Sequence, residues 1–357
     1  MREVVTFVVP AYNAERTLAR TIESILHQTD DRYKLILVND GSTDRTDEIC
    51  RSYLAEKNDK IRYIPQENRG LGGARNAGMR LIDTPYVSFL DSDDWLMPQY
   101  VEKLIRQLEG HKGKNIEMIM TLPQIYHEGS RAVRDWYDKD LFEKVFTCEG
   151  EIINPQVKTD IYRFEVNQCR KILQMDFVKK VDFSFREKVK WEDVYPHFYL
   201  LSQCTSCMGI SEIGFYYRIG SSSQITASRG ADRLDLLIVF EDLLQYINRE
   251  GRRDLYFPAM RVLVRFSIWC IRMADIDHRR VLVNKIHYLF KGLSSRYYME
   301  LVKGTRKNCT KADARQYLLF MTAIRFRIFN FIFYDYLWQD MCEKMIKKLL
   351  RAGERVA

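Results

Sequence analysis

The sequence predicts an α/β protein on a doubly wound, mostly parallel sheet, followed by a helical C-terminal region. Two observations predict it. Short apolar runs rich in β-branched residues alternate with segments of helical spacing through the first part of the chain, and near residue 230 the texture changes to longer amphipathic stretches. Strands that alternate with helices need crossover connections, and such connections build parallel sheets.

In chain order, Val4–Val9 is an apolar run ended by Pro10, too short for a helix, and reads as the first strand. Leu18, Ile22, Ile25 and Leu26 then recur at helical spacing between Thr17 and His27. Lys34–Asn39 gives a second strand that stops at Asp40-Gly41-Ser42-Thr43-Asp44, a loop that supplies the next helix with its cap. Ile61–Pro65 is a third strand, Gly72–Leu81 a helix and Tyr86–Leu90 a fourth strand. Glu192 and Asp193 open the pattern Val194, Phe198, Leu201, a helix start with its acids at the favourable end of the dipole. Ile213–Tyr217 reads as a strand, and Leu234–Phe240, Val262–Trp269 and Tyr317–Trp338 as helices.

Asp91, Asp93 and Asp94 follow directly on the fourth strand. Open parallel sheets bind ligands beyond the carboxyl ends of their strands, and carboxylates completed by phosphate oxygens and water suit Mg2+ or Mn2+. The plain alternative is a capped turn, and Asp94 is read as a helix cap before Pro98 rather than as a ligand. Gly70-Leu71-Gly72-Gly73 leads into a helix, which lets backbone N–H groups approach an anion. No Gly-Lys-Ser/Thr follows, so it is not a Walker loop, and a flexible loop is the bland alternative.

Four segments together carry a resemblance: Val8-Val9-Pro10-Ala11-Tyr12-Asn13, Val38 to Asp44, Glu67 to Asn76, and Phe89-Leu90-Asp91-Ser92-Asp93-Asp94. In this order they resemble the successive motifs of family 2 glycosyltransferases, which have the GT-A fold. The strong match covers residues 4–100; a weaker one runs through Lys171, Trp191-Glu192-Asp193 and Tyr217-Arg218. The resemblance implies Pro10, Tyr12 and Asp40 around a nucleobase, and a carboxylate at Asp40 can accept the one N–H of a uracil. It implies Asn68 on base or ribose, Arg75 on phosphate, Asp93 as the ligand of Mn2+ or Mg2+, and Asp91 beside it on ribose or metal-bound water. It also implies Asp193 as general base with Glu192 as its neighbour, and Arg218 closing over the pyrophosphate. Each residue has a plainer use: Asp40 as a turn residue, Tyr12 and Trp191 as packing, Arg218 as a surface arginine, and Glu192-Asp193 as a helix start.

At 357 residues and 46% hydrophobic content, the chain has room for a catalytic domain over 1–230 and a basic helical region over 231–357. The net charge of +8 concentrates in that second region, where Arg261, Arg265, Arg272, Arg279, Arg280 and Lys285 accompany the helices. Basic helices with Phe and Trp suit peripheral contact with anionic lipid or an anionic acceptor, while a homo-oligomer interface or an ordinary solvated face is the alternative. No apolar stretch is long enough to span a bilayer, and nucleic-acid binding has the charge but no motif. Cys204 and Cys207 form a Cys-x-x-Cys without a second pair at ligand spacing, so structural thiols and a cytoplasmic setting are expected.

The expectation is an inverting, metal-dependent transfer of one sugar from a nucleotide sugar, most simply UDP-linked, to a hydroxyl of a cell-envelope glycan or lipid-linked precursor. The Gln-x-x-Arg-Trp signature of processive synthases does not occur in this sequence, which favours single additions. The rivals are a catalytically silent glycan-binding or scaffold protein on the same fold, and a sugar nucleotidyltransferase. The latter needs a glycine-rich phosphate loop with a nearby lysine where Pro10-Ala11-Tyr12-Asn13 stands.

Overall fold

A computed structural model describes residues 3–56, 59–212, 214–220 and 228–292. The chain divides into two compact units, Met1–Ala227 with Ile238–Leu255, and Ser228–Leu237 with Tyr256–Ala357.

The first unit is built on β1 (Val5–Ala11), α1 (Leu18–Leu26), β2 (Tyr33–Asp40), α2 (Thr46–Glu56), β3 (Ile61–Gln66), α3 (Gly70–Met79) and β4 (Tyr86–Phe89), the alternation expected from the sequence. It continues through β5 (Trp95–Leu96), α4 (Tyr100–Gly110), β6 (Met118–Thr121), β7 (Gln124–His127), β8 (Val133–Asp135), α5 (Lys139–Val145) and β9 (Ile152–Ile153). Then come β10 (Lys171–Gln174), α6 (Met175–Lys180), α7 (Val194–Gln203), β11 (Cys207–Ile210) and β12 (Phe215–Ile219).

Eight strands form the main sheet in the order β3-β2-β1-β4-β10-β6-β11-β9. The pairs among β1 to β4 are parallel, and β10 enters antiparallel between β4 and β6. Every residue of β1 is buried, as expected of a central parallel strand covered on both faces. Helix α1 turns Leu18, Ile22 and Ile25 inward, the same residues that set its periodicity.

Two sequence details shape the carboxyl edge. Strand β4 pairs with β1 only as far as Val8↔Phe89, with the Leu90 N–H reaching the Val8 carbonyl at 3.1 Å. Alternate residues of a strand point their polar groups to the same side, so Pro10 lacks its N–H where the β4 ladder has already ended. The β1–β4 ladder therefore ends before Pro10, at the point where strand order reverses between β2 and β4. Gly41 turns the end of β2 with φ +76 while the Asn68 backbone nitrogen would stand 2.9 Å from any added Cβ, so only glycine fits there.

A second sheet in the order β5-β12-β7-β8 flanks the first. The predicted strand over 213–217 lies at β12, with Ile213 itself outside the described residues.

The C-terminal part is helical as expected, with α8 (Asp235–Arg249), α9 (Tyr256–Met273) and α10 (Ile276–Gly292). Within the second unit, α9 buries Leu263, Val264 and Ile271, and α10 buries Leu282, Ile286 and Phe290. Arg233 lies over the Trp269 ring at 4.7 Å. Arg272, Arg280 and Lys285 are exposed, and Arg261, Arg265 and Arg279 partly so. The helix expected over 317–338 lies outside the described residues. Among those residues no helix is long and apolar enough to cross a membrane.

Candidate active site

The carboxyl ends of β1, β2 and β4 share one edge because the strands are parallel, and the residues expected around a nucleobase lie along it. Asp40 ends β2 and is only 3% exposed. Gln66 Nε2 and the Arg69 N–H donate to it at 2.6 and 2.8 Å, both to Oδ1. Its Oδ2 is left to accept a further N–H. Tyr12 stands on the rim, 54% exposed. Asn13 adopts φ +50 and accepts the Thr43 N–H at 2.8 Å, tying the β1 loop to the β2 loop. The Asn68 side chain accepts the Gly70 N–H at 3.2 Å.

At the end of β4, the Asp94 N–H closes a turn on the Asp91 carbonyl at 3.0 Å. Burial, and then the neighbouring Asp91 charge, push the Asp93 carboxyl up to about 6. Asp94 is fully buried, and its Oδ1 accepts the Arg218 N–H at 2.9 Å. It does not cap a helix: α4 begins at Tyr100, behind Gln99, so the reading of Asp94 as a cap is corrected. Its carboxyl instead ties the acidic turn to β12, and burial with Asp93 and Asp91 nearby keeps its proton on well above the usual range.

Arg75 gathers the carboxylates. Its side chain is 1% exposed; Nη2 donates to Asp91 Oδ1 at 2.9 Å, and Nη1 to Glu192 Oε1 at 2.8 Å and Asp193 Oδ1 at 2.6 Å. Arg75 was expected on phosphate; in this structure its Nη donors pair with the carboxylates of Asp91, Glu192 and Asp193. The glycine-rich stretch also has a packing use. A Cβ at Gly72 would stand 2.2 Å from the Arg186 carbonyl, so the glycine lets α3 press against residues 185–187 and brings Arg75 inward.

Asp193 occupies the N-cap position of α7, but its side chain makes no cap hydrogen bond. The carboxylate is held from two sides, by Arg75 and by the Gln168 N–H at 3.0 Å on Oδ2. Glu192 is buried, and burial together with the Asp193 charge raises it to about 8. Trp191 precedes them at φ +67, a conformation that bulky residues adopt only under constraint. Arg218 pairs with Glu128 through its guanidinium.

Within residues 167–171 the sequence reading named only Lys171 and missed Gln168 and Arg170. Lys171 is fully buried and donates from Nζ to the Asn167 carbonyl at 2.7 Å, fixing the turn whose next N–H reaches Asp193. Burial lowers its ammonium to about 7. Arg170 is fully buried too and pairs with Asp138 at 2.8 Å. The available signal was two adjacent cationic residues leading the apolar Ile172-Leu173, an unusual start for a strand inside a sheet.

Two carboxylate sets offer themselves to a cation. Asp91, Asp94 and Cys169 place one ligand atom each within 4.8 Å of one another. Burial raises both Asp94 and Cys169 well above their ordinary values, so they hold protons and suit a hard dication poorly. Asp91 and Asp93 are hard oxygen donors in a less buried turn, and the burial and Asp91 charge that raise Asp93 are costs a dication would offset. That pair fits Mg2+ or Mn2+. Cys204 and Cys207 are buried free thiols, Cys204 pushed up to about 12 by burial.

Comparison with known proteins identifies the family and the fold. The profile of "Glycosyl transferase family 2" matches residues 6–168. Glycosyltransferase GlyG of Streptococcus pneumoniae is 37% identical over 227 residues, covering 62% of this chain and 73% of that protein. The minor teichoic acid biosynthesis protein GgaB of Bacillus subtilis is 27% identical over 278 residues, covering 76% of this chain. The chain spans 29% of the length of GgaB, and a similarly small share of other relatives it matches. Among solved structures, S. aureus TarS 1-349 in complex with UDP-GlcNAc superposes with a TM-score of 0.63 at 15% identity, covering 90% of this chain and 91% of that one. The likeness extends the shared fold well past the four motifs.

Proposed function

This chain belongs to glycosyl transferase family 2, and on that premise we propose that it transfers one sugar, with inversion, from a UDP-sugar to a hydroxyl of a cell-envelope glycan or lipid-linked precursor. The observation that carries this is the Arg75 guanidinium, which holds Asp91, the carboxylate proposed for the donor, together with Glu192 and Asp193. A donor-side carboxylate and a candidate base thus share one rigid anchor.

Each residue then has a task. Asp40 Oδ2 accepts the uracil N–H, and Tyr12 covers the base from the rim. Asp93 and Asp91 hold Mn2+ or Mg2+, which when bound neutralises charge on the diphosphate. Asp193 takes the proton of the acceptor hydroxyl as that oxygen bonds to the anomeric carbon and the bond to the diphosphate breaks. Arg75 and the Gln168 N–H fix both oxygens of the Asp193 carboxylate, so the base is oriented before the acceptor arrives. Burial and the Asp193 charge raise the Glu192 carboxyl, which favours its neutral form beside a guanidinium that already holds two other carboxylates.

Support for the nucleotide comes from TarS, whose solved structures include complexes with UDP-GlcNAc and with UDP. Support for the acceptor class comes from GgaB, named for minor teichoic acid biosynthesis. The exposed Arg272, Arg280 and Lys285 support peripheral contact with an anionic surface. A thermal-shift screen of nucleotide sugars with Mn2+ tests the donor. A ligand at 100 times its Kd adds about 2.7 kcal/mol, and slow metal-dependent hydrolysis of the stabilising sugar nucleotide separates an enzyme from a silent binding protein.

A further inference from the structure

We propose that Tyr137 is an aromatic seat for a pyranose ring of the acceptor glycan, beside the carboxylates that carry the chemistry. The proposal rests on the transferase reading above and names how its acceptor is recognised.

Tyr137 lies in the turn between β8 and α5 and is 62% exposed. A single exposed ring on a surface needs no explanation. This one is distinguished by how its turn is fixed. On one side, the buried Trp136 stands edge-on to Tyr217, with ring centroids 5.4 Å apart at 84°, and meets Tyr137 itself at 5.2 Å. Tyr217 adjoins the acidic turn, because the next N–H of β12, that of Arg218, donates to Asp94 Oδ1 at 2.9 Å.

On the other side, Asp138 accepts Arg170 Nη1 at 3.0 and 2.8 Å. Arg170 belongs to the turn in which the Gln168 N–H holds Asp193 Oδ2. The turn bearing Tyr137 is therefore anchored both to the metal-binding end of the site and to the segment that orients the base. Those are the two places an acceptor hydroxyl must lie between.

The chemistry favours a neutral ring. An aromatic face backed by buried side chains offers rigid apolar area at small entropic cost, which matches the C–H face of a pyranose. The charges on either side of Tyr137 are paired, Asp135 with Lys139 at 3.1 Å and Asp138 with Arg170 at 2.8 Å. An anionic polyol phosphate finds no unpaired cation in those pairs.

Saturation-transfer NMR on the full chain tests this with three probes: UDP for the donor side, methyl β-D-glucopyranoside for the seat, and glycerol 3-phosphate for an anionic polyol. Wild type and Tyr137→Phe are expected to contact the pyranoside through its C–H face, because stacking uses the ring and not the hydroxyl. Tyr137→Ala is expected to lose that contact roughly fivefold or more while keeping its UDP contact and its circular dichroism. Equal pyranoside contact in Tyr137→Ala overturns the seat, as does Tyr137-dependent contact with glycerol 3-phosphate alone. Absence of UDP contact in wild type overturns the donor reading, and with it the acceptor role given to Tyr137.

Discussion

Arg75 donates from Nη1 to Asp193 Oδ1 at 2.6 Å, joining two residues 118 positions apart in the sequence. The same guanidinium also reaches Asp91 and Glu192, so a buried cation holds the motif after β4 and the start of α7 in one arrangement. Removing one partner of a buried ion pair leaves the others uncompensated. Arg75→Gln is expected to cost about 3–5 kcal/mol, read as a lower urea midpoint. Arg75→Lys is expected to recover little of it, because an ammonium lacks the planar fork. Unchanged stability with a weakened affinity for UDP would return Arg75 to the phosphates.

Asp193 faces the acceptor as the proposed base. General-base catalysis is worth about 100 to 10,000-fold, and Asp193→Asn is expected to lower kcat by that order with UDP-sugar affinity changed only a few fold. Turnover that survives in Asp193→Asn and collapses in Glu192→Gln would move the base by one residue.

Glu192 makes stability depend on pH. Its folded value is raised from 4.5 to about 8, so between those values the native state keeps a proton that the unfolded chain has released. Its contribution is complete below the unfolded value and is lost as pH rises through the folded one. Across about pH 5 to 9, wild type is expected to lose Tm more steeply than Glu192→Gln. Parallel curves for the two proteins would show that Glu192 is ionised in the native state.

Asp40 has one carboxylate oxygen satisfied by Gln66 and Arg69. Loss of a hydrogen bond to a charged group is worth about 1.5–3 kcal/mol, and Asp40→Ala is expected to weaken UDP binding by that amount in calorimetry. An unchanged Kd would remove Asp40 from the nucleotide site.

Asp93→Asn is expected to abolish the Mn2+ dependence of UDP binding, since a neutral amide is a poor substitute for an anionic oxygen facing a dication. Mn2+ titrated against the UDP complex of each protein checks it, and an identical metal response in the two would place the ion elsewhere.

The exposed basic residues of α9 and α10 are expected to give liposome co-sedimentation that requires anionic lipid and weakens with salt, because surface charge is screened beyond about 10 Å at 0.1 M. Equal binding to neutral and anionic vesicles would leave that face as a packing or assembly surface.

The sequence by itself determined the alternating strands and helices, the parallel edge and the family, because apolar periodicity and turn residues are local properties. Val5 to Ala11 read as a buried strand, and Asp91 with Asp93 read as carboxylates beyond a strand end, without any knowledge of what lies across the sheet. Only the tertiary structure decided what Arg75, Asp94, Arg170 and Lys171 do. Arg75, read as a phosphate partner, is tied to three carboxylates from distant segments; Asp94 read as a cap and proved to be a buried tie to Arg218. Arg170 and Lys171 became meaningful when β10 was seen to enter between β4 and β6, bringing the turn of Gln168 to Asp193. The physical reason is common to all four. A charged side chain has no fixed role until its desolvation is matched by a partner, and these partners come from segments far away in the chain.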